Sequence, residues 1–207
     1  MPKIVEGEQG NGALEFDFPD SIQAIKYDDS FWKESRFGSY PAMDILARER
    51  NQQWWIEIKD CEGEEPANRP RLSAADPAEL LKTRDWINAQ DLDAIVRAVR
   101  KKPFIINELV EKLRSTLIGC ELAGIRDSLG EQADELVGTH RLRDGDRPLI
   151  VVLYLTWEGN DFRRLARGLQ TKLDKALRHY GWRGFIVNNS SQLIQTGLTC
   201  QVVRSSR

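Results

Sequence analysis

The run Pro148–Trp157 (PLIVVLYLTW) limits the fold more than any other stretch of the chain. Its apolar part, Leu149 to Leu155, is far too short to cross a bilayer, which takes about 20 residues. An unbroken apolar run of strand length, rich in β-branched residues, reads as a strand buried within a sheet. The chain is therefore expected to build a layered α/β or α+β domain around it.

The flanking segments supply the layers. Ala13–Phe18 (ALEFDF) alternates apolar and polar residues and is predicted to be a strand, with Ile22–Tyr27 a second after the Pro19-Asp20-Ser21 turn. Residues 28–37 suit a short helix capped by Asp29 or Ser30. Met43–Ala47 and Trp54–Asp60 read as a hairpin turning near Arg50-Asn51. Residues 61–77 form a loop, and 76–100 a helical stretch starting near Pro77 and broken at 88–91. From Ile106 to about Leu129, the spacing of Leu109, Val110, Leu113, Leu117 and Cys120 marks a helix face packed on a core. Residues 138–147 are a turn, 161–180 a helix, 184–187 a strand, and 198–203 a last strand. At 207 residues this makes one domain, with a loop-and-helix insertion at about 61–102.

Composition closes some options. A net charge of −2 argues against a chain coated in basic surface, though a local basic groove stays open. The opening residues MPKIVEGEQG have neither a basic start nor an apolar run, so no signal peptide is expected. Cys61, Cys120 and Cys200 lie far apart and are odd in number, against a disulfide framework or a CxxC zinc site. A reducing cytoplasm and no membrane partner are the expectation. Two histidines make histidine-rich metal chemistry unpromising, and no GxxxxGK[ST], GxGxxG or GxSxG motif occurs.

The hairpin carries the chemistry. In Trp54–Asp60, side chains alternate, so Trp55, Glu57 and Lys59 share one face. A turn centred between Arg50 and Asn51 sets Asp44 opposite Glu57, with Cβ atoms about 4.5–5.5 Å apart. Two carboxylates at that separation can share one Mg²⁺ or Mn²⁺, and without a cation they repel. Lys59 can position an attacking water or stabilise charge at a phosphate. The plain alternative is a solvated Glu-Lys pair, worth less than about 1 kcal/mol.

The pattern from Pro41 through Asp44, a turn, then Trp54-Trp55-Ile56-Glu57-Ile58-Lys59-Asp60 resembles the core motif of the PD-(D/E)xK superfamily, which includes restriction-endonuclease-like enzymes and Holliday-junction resolvases. Pro41 stands three residues before Asp44 rather than beside it. Residues 16–59 also resemble a group of bacterial proteins of unknown function, with a segment like Phe16-Asp17-Phe18-Pro19 before the hairpin and a helix like Glu108–Gly119 after it. The resemblance implies a restriction-endonuclease-like core, a central mixed sheet flanked by helices. It also implies Asp44, Glu57 and Lys59 as catalytic residues, and Asp44, Glu57 and the Ile58 carbonyl as ligands of Mg²⁺ or Mn²⁺. Members often add an acid before the hairpin, for which Glu34 is the candidate and Asp28 or Asp29 the alternatives. They also place a basic residue on the following helix, here Lys112 or Arg114; Lys112 shares a face with Glu108, and with Ser115 or Thr116.

A weaker basic stripe, Arg164, Arg167, Lys175 and Arg178, lies on the helix at 161–180 and could track a phosphate backbone; a solvated face is its plain alternative. Both Trp54 and Trp55 suit core packing, though one ring could stack on a base. The expected function is a divalent-metal-dependent nuclease acting on DNA more than RNA, with nucleic acid as partner and a homodimer or protein partner open. The alternative is a nuclease-fold module without catalysis, serving interaction or assembly.

Overall fold

The structure is a computed structural model that describes residues 2–7, 12–29, 40–50, 52–61, 66–126, 149–157 and 159–204, the backbone alone over 66–68 and 122–126. Its elements run β1 (Lys3–Glu6), β2 (Leu14–Asp17), β3 (Gln23–Lys26), β4 (Ile45–Glu49), β5 (Gln52–Lys59), a 3-10 stretch (Pro66–Leu72), α1 (Ala78–Ala89), α2 (Ile105–Arg126), β6 (Leu149–Leu155), α3 (Phe162–Leu177), β7 (Arg183–Val187), α4 (Ser190–Gln195) and β8 (Gln201–Arg204).

The apolar run is β6, buried at every position. It lies between β5 and β7 and parallel to both. The order of this five-stranded sheet is β3-β4-β5-β6-β7, with the β3-β4-β5 meander antiparallel. A parallel neighbour cannot be reached by a tight turn. The chain accordingly crosses from β5 to β6 with α2 in the connection, and from β6 to β7 through α3.

Period-two alternation divides the sheet into two apolar faces. On one, Leu46, Trp55, Val151 and Leu153 pack with Leu109 and Leu113 of α2 and Leu169 and Leu173 of α3. Close approach of α3 to β7 depends on Gly184, where an added Cβ would lie 2.6 Å from the Leu173 side chain. On the other face, Ile45, Trp54, Ile56 and Val152 pack with Phe16 and Phe18 and with Leu193 of α4. That cover is a three-stranded sheet, ordered β1-β2-β8. The expected mixed sheet flanked by helices is present, and both tryptophans are core residues.

Some expectations shift. The β1 strand and the six-residue α4 carry too little periodicity to announce themselves, and the last strand begins at Gln201 rather than Leu198. The loop after β5 contains the 3-10 stretch. The expected break near 88–91 is where the helix stops: α1 ends at Ala89, Asp91 takes a φ of 56°, and the helical stretch expected on to residue 100 is not helical beyond that point. Within α1 only Ile87 is buried. Of the helix expected at 28–37, only its first residues lie among those described, and the turn at 138–147 falls outside them. No helix among the described residues is long and apolar enough to cross a membrane.

Candidate site at the end of the central hairpin

Register places the carboxylates. Ile45 pairs with Ile56, so the next residue outward, Asp44, faces Glu57 as expected. Asp44 sits just before β4, and its backbone is fixed from two sides. Its carbonyl accepts the Tyr27 N–H at 2.8 Å, and the neighbouring Met43 N–H donates to the Thr116 hydroxyl of α2 at 2.9 Å. The Asp44 carboxylate reaches across the hairpin, Oδ2 accepting the Ile58 N–H at 2.6 Å. The Ile58 group fixed by this contact is therefore its amide, not its carbonyl.

Glu57 points from β5 toward α2 and is 0% exposed. Glu108, Lys112 and Thr116, one turn apart on α2, all reach this end of the hairpin. Lys112 Nζ lies 2.8 Å from Asp44 Oδ1 and 2.7 Å from Glu57 Oε1, standing between the two carboxylates. Lys59 Nζ lies 2.7 Å from the same Glu57 oxygen and 3.1 Å from Glu108 Oε1, while Arg71 pairs with Glu108 Oε2. Asp44, Glu57 and Glu108 are thus matched by Lys59, Lys112 and Arg71.

The balance in charge is not a balance in hydrogen bonds. Among the described residues, neither Glu57 Oε2 nor Asp28 Oδ1, both buried, has a hydrogen-bond partner. Such orphaned atoms are rare in folded proteins and call for a reason. Burial first, and then the Asp44 charge, push the Glu57 carboxyl up to about 7, although Lys112 and Lys59 pull it down. Asp28 is likewise pushed up to about 7, by burial and then by Asp44 and Glu6. Glu6 rises through burial and Asp44. For Lys112, burial acts downward but Glu57 and Asp44 outweigh it, so its ammonium is held well above the ordinary lysine range. Glu6, Asp28, Asp44, Ile58, Lys59 and Lys112 line a cavity of about 230 Å³.

Asp44, Glu57, Ile58, Lys59 and Lys112 therefore come together. Arg114 does not join them; it turns away and donates to the Tyr180 hydroxyl at 3.0 Å. Of the acids before the hairpin, Asp28 lines the cavity and Asp29 pairs with Lys26 at 2.5 Å, while Glu34 lies outside the described residues. Arg164, Arg167 and Lys175 are exposed on α3, and Arg178 just past its end; none of them joins this cluster. Sequence reading passed over Glu6, Arg71 and Asp60. Asp60 accepts from Thr156 at 2.6 Å and from both terminal nitrogens of Arg204, at 2.9 and 2.7 Å. Its position directly after Lys59 is the one local signal; Arg71 and Arg204 arrive through loops and strands that no short motif reveals.

Among the described residues no cluster of three or more His, Cys, Asp or Glu forms a ligand shell. The paired oxygens of Asp44 and Glu57, with Oε2 of Glu57 unsatisfied, suit one hard cation whose remaining positions go to water or substrate. Lys112 must yield for that cation to enter. No family model matches this chain, and no curated protein or solved structure matches it.

Proposed function

We propose that the chain is a divalent-metal-dependent phosphodiesterase acting on nucleic acid, DNA more than RNA, with a PD-(D/E)xK-type site on a restriction-endonuclease-like core. One observation carries the reading: the fully buried Glu57 faces Asp44 with a lysine from its own strand and another from α2, yet keeps an unsatisfied oxygen. A buried carboxyl perturbed by desolvation and by specific charge partners is a candidate functional group.

In this reading Asp44 and Glu57 hold Mg²⁺ or Mn²⁺, with the Ile58 carbonyl as a further oxygen. Such a cation, when bound, lowers the pKa of a water and neutralises charge on a phosphate. The chain's own groups do the rest. The Ile58 amide orients Asp44. Glu108 and Glu57 hold Lys59 at the mouth of the cavity, where its ammonium faces an attacking water or a phosphate oxygen. Lys112 keeps the carboxylate pair from repelling and gives way when a stronger cation arrives.

Thermal unfolding of wild type and Glu57→Ala in EDTA, Mg²⁺ and Mn²⁺ tests this. Metal at about 100 times its dissociation constant adds roughly 2.7 kcal/mol, or about 5–10 °C for a chain of this size. Wild type alone should respond. A response of equal size in Glu57→Ala, or none in either, removes the metal site from the argument.

A second reading has its own observation. The cluster is charge-balanced as it stands, and the segment after Asp76 exposes Leu81, Trp86, Ile95 and Val99. A nuclease-fold module serving interaction or assembly predicts no metal response, and Asp44→Ala and Glu57→Ala that still bind their protein partner.

A further inference from the structure

A second concavity opens on the helical side of the sheet. It lies between the 3-10 stretch at Pro66–Leu72 and α3, and its volume is about 480 Å³. That falls within the roughly 300–1,000 Å³ of pockets that take organic ligands. Phe104, Leu165 and Leu169 give it an apolar floor, and Arg69, Arg164 and Lys172 a basic rim. The acid on the rim, Asp161, is already engaged: its Oδ1 accepts the Trp157 indole N–H at 2.9 Å, and Arg164 lies 3.6 Å away. Gly168 leaves the floor open, since an added Cβ there would meet nothing within 4 Å.

Position ties this groove to the hairpin site. Trp157 lies two residues past β6, and the intervening Thr156 N–H donates to the Lys59 carbonyl at 3.1 Å. Cavity and groove therefore both hang on the carboxyl ends of the parallel strands β5 and β6, the edge where open α/β sheets bind ligands. Arg69 links them from above, its Nε donating to the Cys61 carbonyl at 3.1 Å while its guanidinium lies 5.3 Å over the Trp157 ring. An apolar floor with a stacked planar wall suits an aromatic ring, and three cations on the rim suit anionic groups spaced along a chain.

We propose that this groove binds an unpaired nucleic-acid strand, with bases over the Phe104–Leu169 floor and phosphates on Arg69, Arg164 and Lys172. The inference rests on the nuclease reading of the hairpin site and names its substrate as single-stranded at that point. A base pair stacked within a duplex presents its edge and backbone, not a ring face, so a cleft of this size selects the unpaired base. The basic stripe anticipated on this helix is only partly used. Arg164 lines the groove, Lys172 joins it, and Arg167, Lys175 and Arg178 are not among its lining residues.

Fluorescence anisotropy with a labelled 20-nucleotide deoxythymidine strand, in EDTA so that nothing is cut, tests the groove apart from the metal site. Wild type should bind at low salt. Arg164→Ala with Lys172→Ala should weaken binding about tenfold and flatten the log–log salt slope by about 1.4, two phosphate contacts at roughly 0.7 each. Gly168→Trp fills the groove without altering charge and should weaken binding similarly. The control pair Arg167→Ala with Arg178→Ala, equal in charge removed, should stay within about twofold. The proposal is overturned if wild type does not bind, if the control pair loses as much as the groove pair, or if a duplex of equal length binds tighter. Loss of the Mn²⁺ response with strand binding intact would instead sink the hairpin reading and leave the groove standing.

Discussion

Two ionic clusters in this molecule are built from the same parts and behave in opposite ways. Near the surface, Asp76 receives Arg84 at 2.5 Å and Arg100 at 2.7 Å, and these guanidinium contacts hold its carboxyl below the ordinary range. In the interior, Glu57 receives Lys59 and Lys112 at 2.7 Å each, yet burial pushes its carboxyl up to about 7. Contact distance does not separate the two. What separates them is desolvation and Glu57 Oε2, which two ammonium groups on Oε1 leave without a hydrogen-bond partner among the described residues. A distance list would rank both as salt bridges; only in the inner one does desolvation outweigh the ion pairs on the carboxyl.

Removing Lys112 should give the largest break in that contrast. Lys112→Met leaves Asp44 and Glu57 facing each other with one cation fewer, and loss of a buried partner costs about 3–5 kcal/mol. The loss should be greater at pH 8 than at pH 5, because Glu57 protonates near 7 and relieves the repulsion. If the pair holds metal, Mn²⁺ should restore more stability to Lys112→Met than it adds to wild type. Urea unfolding with and without Mn²⁺ measures both, and a variant indifferent to Mn²⁺ would tell against Lys112 as the resident cation.

Glu57→Gln should act in the opposite direction. A folded carboxyl raised from 4.5 to about 7 disfavours its ionised form by up to about 3 kcal/mol above pH 7. The neutral isostere removes that burden, so the metal-free variant should be more stable than wild type at pH 8 and should lose its metal response. A variant less stable than wild type at pH 8 would mean that the lysines already compensate Glu57 fully.

The same asymmetry explains what the sequence could reveal. Asp44, Glu57 and Lys59 were legible because strand alternation and a tight turn fix faces and register over fifteen residues, and the observed Ile45–Ile56 pairing is the one the turn implies. Lys112 is half-legible: helical spacing puts it on one face with Glu108 and with Ser115 or Thr116, but nothing local says that this face, rather than that of Arg114, meets the hairpin. Glu6, Arg71 and Arg204 were not legible. Each reaches the site through a long-range pairing, β1 on β2, the 3-10 stretch on α2, or β8 on β2, whose register depends on tertiary packing rather than on neighbouring residues. In the second sheet β2 and β8 are legible as strands and β1 is not, since a four-residue strand carries too few alternations to declare a period.

A smaller effect belongs to Asp28. Its folded carboxyl is raised to about 7 from 3.8, so between those values the fold binds a proton that the unfolded chain has lost. Stability from this group is greatest at low pH and declines as pH rises from about 4 to 7, and Glu57 adds a decline in the same direction. Asp28→Asn should therefore flatten the fall in urea midpoint between pH 5 and pH 8 without abolishing it. An unchanged slope would remove Asp28 from the titrating cluster.

Asp76→Asn gives the smallest expected change and the sharpest control. Its depressed carboxyl contributes stability that is present above about 3.8 and lost as pH falls below it, the reverse of Glu57 and Asp28. Because the cluster lies near solvent and the arginines keep other partners, Arg100 donating to the Ser73 carbonyl at 3.0 Å among them, the variant should lose a little stability at neutral pH. It should keep the whole Mn²⁺ response and the decline from pH 5 to 8. Both properties follow from where the charge is buried rather than from how many ion pairs surround it. If Asp76→Asn altered the metal response as Glu57→Ala is expected to, the two clusters would be coupled, and burial would no longer be the distinction between them.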